Sequence, residues 1–374
     1  GMPGERPRDA AVRGRGVPRG GRTTERGAAG LEYGGIIAAA ALVVAAVLFG
    51  IVQGDLARHT TNAVCRLFLG EGCEDTAQSV QTALEKALSG DYVALGDSFA
   101  SGEGAGDYHD GTNYDNRDDW DPGNWGDDSH NRCRRSTSSY AEQTYASPEF
   151  DFAGGFTAVY CSGATQTDLD KPNGKNDGEG PQLDALTENT SLVTMSIGGN
   201  DLGFGDVLHD CVINGGSGVP FTDGCQAKWD EKLDQRLEDL KPELVALYTR
   251  MREKAPNARI VIMGYPRLFN DPPSQELNNM LFNEDQVWMN SRADELNAML
   301  REACREAGVE FIDPTQAFLG HGVGAPDGEQ WINDLDWGGP GLAITDPGSF
   351  HPNALGHAAM AALLAEQLRN PRYP

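Results

Sequence analysis

The sequence predicts an α/β fold built on a parallel sheet, and two observations carry that prediction. Five short apolar runs punctuate the chain: YVALG (92–96), FTAVYC (156–161), LVTMSIGG (192–199), ARIVIMGY (258–265) and VEFID (309–313). Their near-continuous hydrophobicity suits strands buried on both faces. Helical patterns lie between them, and strands alternating with helices call for right-handed crossovers and a parallel sheet. In such sheets ligands gather beyond the carboxyl ends of the strands, so the residues that follow each run are the informative ones.

Taken in order, the chain opens with a basic segment. Residues 1–27 hold seven arginines against three acids, and residues 1–32 are expected on the cytoplasmic side. From Tyr33 to Gly54 there is no charge, and this span is long enough to cross about 30 Å of hydrocarbon as a transmembrane helix. A connector over 55–90 contains Cys65 and Cys73, and the catalytic region begins at DYVALGDS. Helices are expected over 228–255, interrupted by Pro242, over 274–308, and over 353–369 after Pro352. The net charge of −26 argues against a nucleic-acid partner, since neutralising phosphates needs a surplus of Lys and Arg.

The strand ends carry the chemistry. GDSFASGEG (96–104) follows the first run, and its serine stands where a strand enters a helix with its N–H free to donate. It is not a G-x-S-x-G elbow, which removes support for an α/β-hydrolase. CSGATQTDL (161–169) follows the second run, and Gly163 can bring a backbone N–H close to a ligand. SIGGND (196–201) follows the third, with the Asn200 amide as a donor. SFHP places His351 just before the last helix. Each piece alone reads as an ordinary turn or cap. Together they supply what acyl transfer needs: a nucleophile, a base and donors for an oxyanion.

GDSFASGEG, the glycine of CSGATQTD, GGND and FHPNALGH, in this order, resemble the four blocks of the SGNH (GDSL) hydrolase family over about residues 91–370. NRCRRSTSSYAE (131–142), AFLGH (317–321) and WIND (331–334) are similar to its secreted actinobacterial esterase/lipase branch. The resemblance implies a three-layer αβα, flavodoxin-like fold with a five-stranded parallel sheet over 91–374. It makes Ser98 the nucleophile and His351 the general base, with Ser98 and Gly163 N–H groups and the Asn200 side chain as oxyanion donors. No metal or organic cofactor is called for, and the partner is a small-molecule or lipid ester. The family's D-x-x-H has Gly348 in place of its aspartate. The imidazole Nδ1–H then needs another acceptor, for which the Gly348 carbonyl is favoured over Asp346. His357 is expected on the surface of the last helix or partly buried, and His321 at the edge of the site.

The resemblance also pairs Cys133 with Cys161 and Cys211 with Cys225. Cys65 with Cys73 is plausible by separation alone, which leaves Cys304 either buried and inert or available to another chain. The segment 107–130 carries eight aspartates without calcium-loop spacing, and reads as a solvated loop over the site mouth whose Tyr114, Trp120 and Trp125 could line a groove. At the other end, RGAAGLEYGGIIAAAALVVAAV resembles the N-terminus of small type IVb (Flp-like) pilins. In those a prepilin peptidase cuts after a glycine, as at Gly27 here, leaving Glu32 and Tyr33 in the matching places. The expected activity is an extracytoplasmic carboxylesterase or lipase tethered through 33–54. Alternatives are a thioesterase, phospholipase or deacetylase on cell-envelope lipid or carbohydrate, or a pilin-like surface protein that uses the hydrolase as a scaffold.

Overall fold

The computed structural model describes residues 82–114, 130–214, 224–273, 281–335 and 348–374. The chain divides into units 1–76 and 77–374, and every described residue belongs to the second. The basic segment, the apolar span 33–54, Cys65, Cys73, Trp120, Trp125 and Asp346 therefore lie outside the described residues. Among the described residues no helix is long and apolar enough to cross a membrane.

Five strands form one parallel sheet: β1 (Asp91–Gly96), β2 (Phe156–Ala158), β3 (Thr190–Ser196), β4 (Arg259–Met263) and β5 (Glu310–Ile312), in the order β2-β1-β3-β4-β5. β3 is buried at every position, as its unbroken apolar run requires. Val93 lies opposite Val193 and Val193 opposite Ile260, so β-branched side chains stack across the centre. Tyr92 spends its buried hydroxyl on Thr194 Oγ1 at 2.8 Å.

The helices fall into two layers because right-handed crossovers moving in opposite directions from β1 land on opposite faces. Those that position the site or the core are, in chain order, α1 (Ser98–Ser101), α2 (Tyr140–Ala146), α3 (Gly199–Leu202), α4 (Phe204–Asn214), α5 (Gly224–Lys254), α6 (Asn283–Ala307) and α7 (Ala354–Arg369). α5 packs on α6, and α7 packs on α2. Asn353 caps α7 by accepting from the N–H groups of Leu355 and Gly356 at 3.0 and 3.1 Å. α6 stops at Gly308, which takes φ +70° and donates to the carbonyls of Cys304 and Arg305.

Two sequence expectations change here. Pro242 does not interrupt α5, which runs unbroken from Gly224 to Lys254. The proline removes one backbone donor, but Leu240, Leu244, Leu247, Tyr248 and Met251 on either side of it are buried, and that apolar face holds the helix together. His357 is neither on the surface nor partly exposed: it is fully buried. Its Nδ1 accepts the N–H of Tyr140, the first residue of α2, at 3.2 Å, which ties α7 to α2. Burial, with a smaller contribution from the nearby His351, pulls its pKa from 6.5 down to about 3.

A buried His held neutral contributes stability that is complete above its unfolded pKa and is lost as pH falls toward its folded value. The unfolded chain takes up a proton below pH 6.5 that the folded chain refuses until about pH 3. We expect His357→Gln to flatten the acid limb of the stability curve by up to about 1.4 kcal/mol per pH unit between those values, read by urea denaturation at several pH values.

Far from the strand carboxyl ends, Arg259 and Glu310 form a buried bidentate pair, with both N–O distances 2.7 Å. Arg259 also donates to the carbonyls of Leu368 and Gln367, and Gln367 Nε2 donates to Glu310 at 2.7 Å. This network fastens the end of α7 to the first residues of β4 and β5. Arg259→Met strands a buried carboxylate and is expected to cost about 3–5 kcal/mol in denaturant unfolding, while the folded fraction keeps its specific activity.

Candidate active site

β1 ends at Gly96, where φ is +126° and an added Cβ would lie 2.4 Å from the Ser196 carbonyl oxygen. Only glycine lets the two strand ends approach so closely. The chain then turns through Asp97, which caps α1 by accepting the Phe99 N–H at 3.1 Å. Ser98 is the first residue of that one-turn helix, where backbone N–H groups have no intrahelical acceptor. Gly102, at φ +86°, closes the turn by donating to the Ser98 carbonyl.

Asp97 is almost fully buried. Burial pushes its pKa up to about 7, against the pull of hydrogen bonds from the Tyr265 hydroxyl, Ser196 Oγ and the Phe99 amide. Tyr265 in turn accepts the Gly199 N–H at 3.1 Å. One buried hydroxyl thus joins the turn after β1 to the turn after β3.

His351 reaches Ser98 from the loop before α7. Its Nε2 stands 2.8 Å from Ser98 Oγ, and its Nδ1 stands 3.0 Å from the Ser349 carbonyl. An Nε2 that accepts from Ser98 places the ring proton on Nδ1, which then donates to Ser349. A backbone carbonyl does hold the ring, but not the expected one. The Gly348 carbonyl is taken by the His351 N–H at 3.2 Å and by Asn333 Nδ2 at 3.1 Å. The turn geometry decides this, because Phe350 adopts φ +59° and swings the ring back over residue 349.

Asn333 clamps the loop. Besides Gly348, its Nδ2 donates to the Gly104 carbonyl at 2.8 Å, and its backbone pairs with His351 and Phe350 at 2.9 and 3.0 Å. Gly104 must be glycine here, because a Cβ at its φ of +92° would sit 2.9 Å from His351 Cβ and 2.7 Å from Asn333 Nδ2.

Gly163 has φ +77° in the loop after β2. Asn200, in the first turn of α3, donates Nδ2 to the neighbouring Ala164 carbonyl at 2.9 Å. Both carboxylate oxygens of Asp201 accept the Gln166 N–H at 3.1 Å, which further ties the two loops together. Ser98, Asn200 and His351 border one cavity, whose walls are apolar: Phe99, Phe204, Leu208, Val212, Leu268 and Leu296.

Three other sequence candidates sit away from this cavity. The His321 ring stacks on Trp331 with centroids 3.7 Å apart, so it braces the segment that carries Asn333. Tyr114 is buried against His130 and under the Arg132 guanidinium rather than lining the groove. Cys304 is buried and unpaired, with its thiol pKa pushed up by burial. The disulfides Cys133–Cys161 and Cys211–Cys225 are both formed. Sequence reasoning missed the roles of Ser349, Tyr265, Asn333 and Glu103, although Glu103 lies in GDSFASGEG and Asn333 in WIND, both motifs already singled out.

The sequence profile of the GDSL-like lipase/acylhydrolase family matches residues 94–359, well over half of the chain. The chain belongs to this family. It is a serine ester hydrolase by that membership, and its relatives agree. Lipase 1 of Streptomyces coelicolor is 30% identical over 299 residues, covering 78% of this chain and 91% of the relative. Lipase 2 of the same organism is 32% identical over 282 residues, covering 72% and 83%. Among solved structures, phospholipase A1 from Streptomyces albidoflavus superposes with a TM-score of 0.58 at 30% identity, covering 74% of this chain and 98% of that one. The extracellular lipase of Streptomyces rimosus gives 0.55 at 28% identity, covering 74% and 99%.

Asn333→Ala removes the side-chain clamp on the histidine loop without altering Ser98 or His351 themselves. A misplacement of His351 by a fraction of an ångström is expected to lower kcat about 10-fold with KM nearly constant, measured by steady-state ester hydrolysis.

Proposed function

We propose that this GDSL-family enzyme cleaves carboxylic esters of apolar acyl groups through an acyl-enzyme on Ser98. The observation that carries the reading is the 2.8 Å contact between Ser98 Oγ and His351 Nε2 at the edge of an apolar cavity. Ser98 attacks the ester carbonyl as His351 Nε2 takes its proton. The Ser98 and Gly163 N–H groups and the Asn200 amide receive the oxyanion, Asn200 turning from the Ala164 carbonyl to do so. His351 then hands the proton to the leaving alcohol, and water, with His351 again as base, releases the acid.

Within ester substrates, lipid esters are favoured by the phenylalanines and leucines of the cavity wall, which suit an alkyl chain better than a sugar. The catalytic unit over 91–374 is placed outside the cytoplasm on the strength of the arginine-rich start and the uncharged span 33–54. That span would serve as a single-pass anchor. Cleavage after Gly27 by a prepilin peptidase would instead yield a pilin-like mature end beginning four residues before Glu32. N-terminal sequencing of cell-derived protein distinguishes the anchored form from the processed one.

Ser98→Ala and His351→Ala are expected to abolish hydrolysis of p-nitrophenyl esters, and Ser98→Ala to abolish labelling by a fluorophosphonate. Asp346→Ala is expected to cost less than about 10-fold, because the Ser349 carbonyl already accepts from Nδ1. A wild-type chain that takes no fluorophosphonate on Ser98 would sink the proposal. Rates across acyl chains from acetyl to palmitoyl separate an esterase profile from a lipase profile.

A further inference from the structure

Glu103 is a buried carboxylate that the mechanism above leaves unused. It is 3% exposed, and its Oε2 lies 3.6 Å from His351 Nε2, the nitrogen that receives the Ser98 proton. Two donors hold it there. Arg134 Nη1 bonds Oε1 at 2.8 Å, and the Ser162 hydroxyl bonds Oε2. Both donors are themselves fixed by one feature: Arg134 follows Cys133 and Ser162 follows Cys161, and those cysteines are joined in a disulfide. The Ser162 N–H also donates to the Cys133 carbonyl at 3.1 Å. Arg134 has φ +49°, a left-handed conformation that a non-glycine residue adopts only when its surroundings impose it. Its N–H is bonded to the Thr112 carbonyl at 2.7 Å, and its Nε reaches Asn113.

We propose that Glu103 supplies a negative charge to the His351 imidazole, and that it acts from the Nε2 side of the ring instead of the Nδ1 side. The inference rests on the Ser98–His351 reading. Among the described residues, Nδ1 meets the neutral Ser349 carbonyl. When Nε2 takes the proton, the new imidazolium faces a carboxylate in a site largely shut off from water, where a charge pair is worth more than at the surface. Glu103 takes no proton itself; the proton passes from Ser98 Oγ to Nε2 and on to the leaving alcohol. Arg134 has a second part in this arrangement. Ser162 is next to Gly163, so a lone carboxylate would also oppose the developing oxyanion. Pairing Glu103 with Arg134 turns it into a dipole whose negative end points at the imidazole. Glu103 is therefore a positioning and electrostatic residue acting through His351.

The other titratable groups around His351 among the described residues include Asp97, committed to Ser196 and Tyr265, His209 in the wall of the same cavity, the buried His357, and the exposed Asp334 beside Asn333. They are the same in every variant, so differences between variants report Glu103. Glu103→Gln is expected to lower kcat by about 10- to 100-fold with KM within about threefold. In the same variant the acid limb of kcat/KM is expected to move to lower pH by about half a unit or more, because the imidazolium has lost its counter-charge. Slower turnover together with activity reaching further into acid is a pairing that simple loss of structure does not produce. Glu103→Asp keeps the charge one methylene further back, and should shift the limb in the same direction by less.

A Glu103→Gln enzyme with an unmoved acid limb overturns the proposal, whether kcat falls or not. Should Glu103→Gln fail to fold by circular dichroism, Glu103→Asp decides, and an unmoved limb there overturns it equally. Fluorophosphonate labelling separates this failure from that of the underlying reading. Glu103→Gln should still label at Ser98 to completion, whereas hydrolysis surviving in Ser98→Ala or His351→Ala would remove the base that Glu103 is meant to serve.

Discussion

An imidazole must be delivered to a serine at the end of β1 by a loop that belongs to no strand, and the rest of the site is arranged around that requirement. Strands hold position through their ladders, but the described part of the loop before α7 has a single isolated bridge, Ile332 with Pro352. Asn333 stands in for a ladder: its side chain binds the carbonyls of Gly104 and Gly348, and its backbone pairs with His351 and Phe350. The loop is thereby fastened to the same turn that carries Ser98. The 2.8 Å contact between Ser98 and His351 follows from this fastening rather than from any regular element.

A second constraint acts beneath the first. The turns after β1 and β3 must keep fixed spacing if Ser98 and Asn200 are to face one substrate atom, and Tyr265, after β4, bridges them. Asp97, Ser196, Tyr265 and Gly199 form a chain of hydrogen bonds that links the turns after β1, β3 and β4. The carboxylate is unfavourable there by itself, as its pKa near 7 records, and three donors make it tolerable. Buried polar groups that are fully satisfied specify a single arrangement, which is the property a catalytic spacing needs.

Much of this was readable from the chain. The five strands were legible because doubly buried strands must be apolar without interruption, and their observed ends differ from the sequence runs by a few residues. Ser98, Gly163 and Asn200 were legible as motifs that follow strands, and His351 as one that precedes the last helix. Other features depended on backbone direction, which letters do not encode. Gly348 and Ser349 both precede the histidine, and only the left-handed Phe350 decides whose carbonyl faces Nδ1. Glu103 was visible as a letter, but its approach to His351 depends on the positive φ of Gly102 and Gly104 and on Arg134 across a disulfide. His357 looked like a surface residue because its helix is apolar nearly all round, which hides which face is inward. Pro242 looked like a break because local propensity cannot count the apolar contacts on either side of it.

The bidentate Arg259–Glu310 pair gives the architecture a division of labour. It locks β4, β5 and the end of α7 at the sheet margin remote from Ser98, with its own hydrogen bonds complete. Cohesion is thus anchored at one margin and reactivity at the other. A lineage can therefore remodel the segments that meet the substrate, lengthening or shortening them as new esters are encountered, without reopening the joint that keeps the sheet closed. In evolutionary terms the site margin is free to explore because the opposite margin is not.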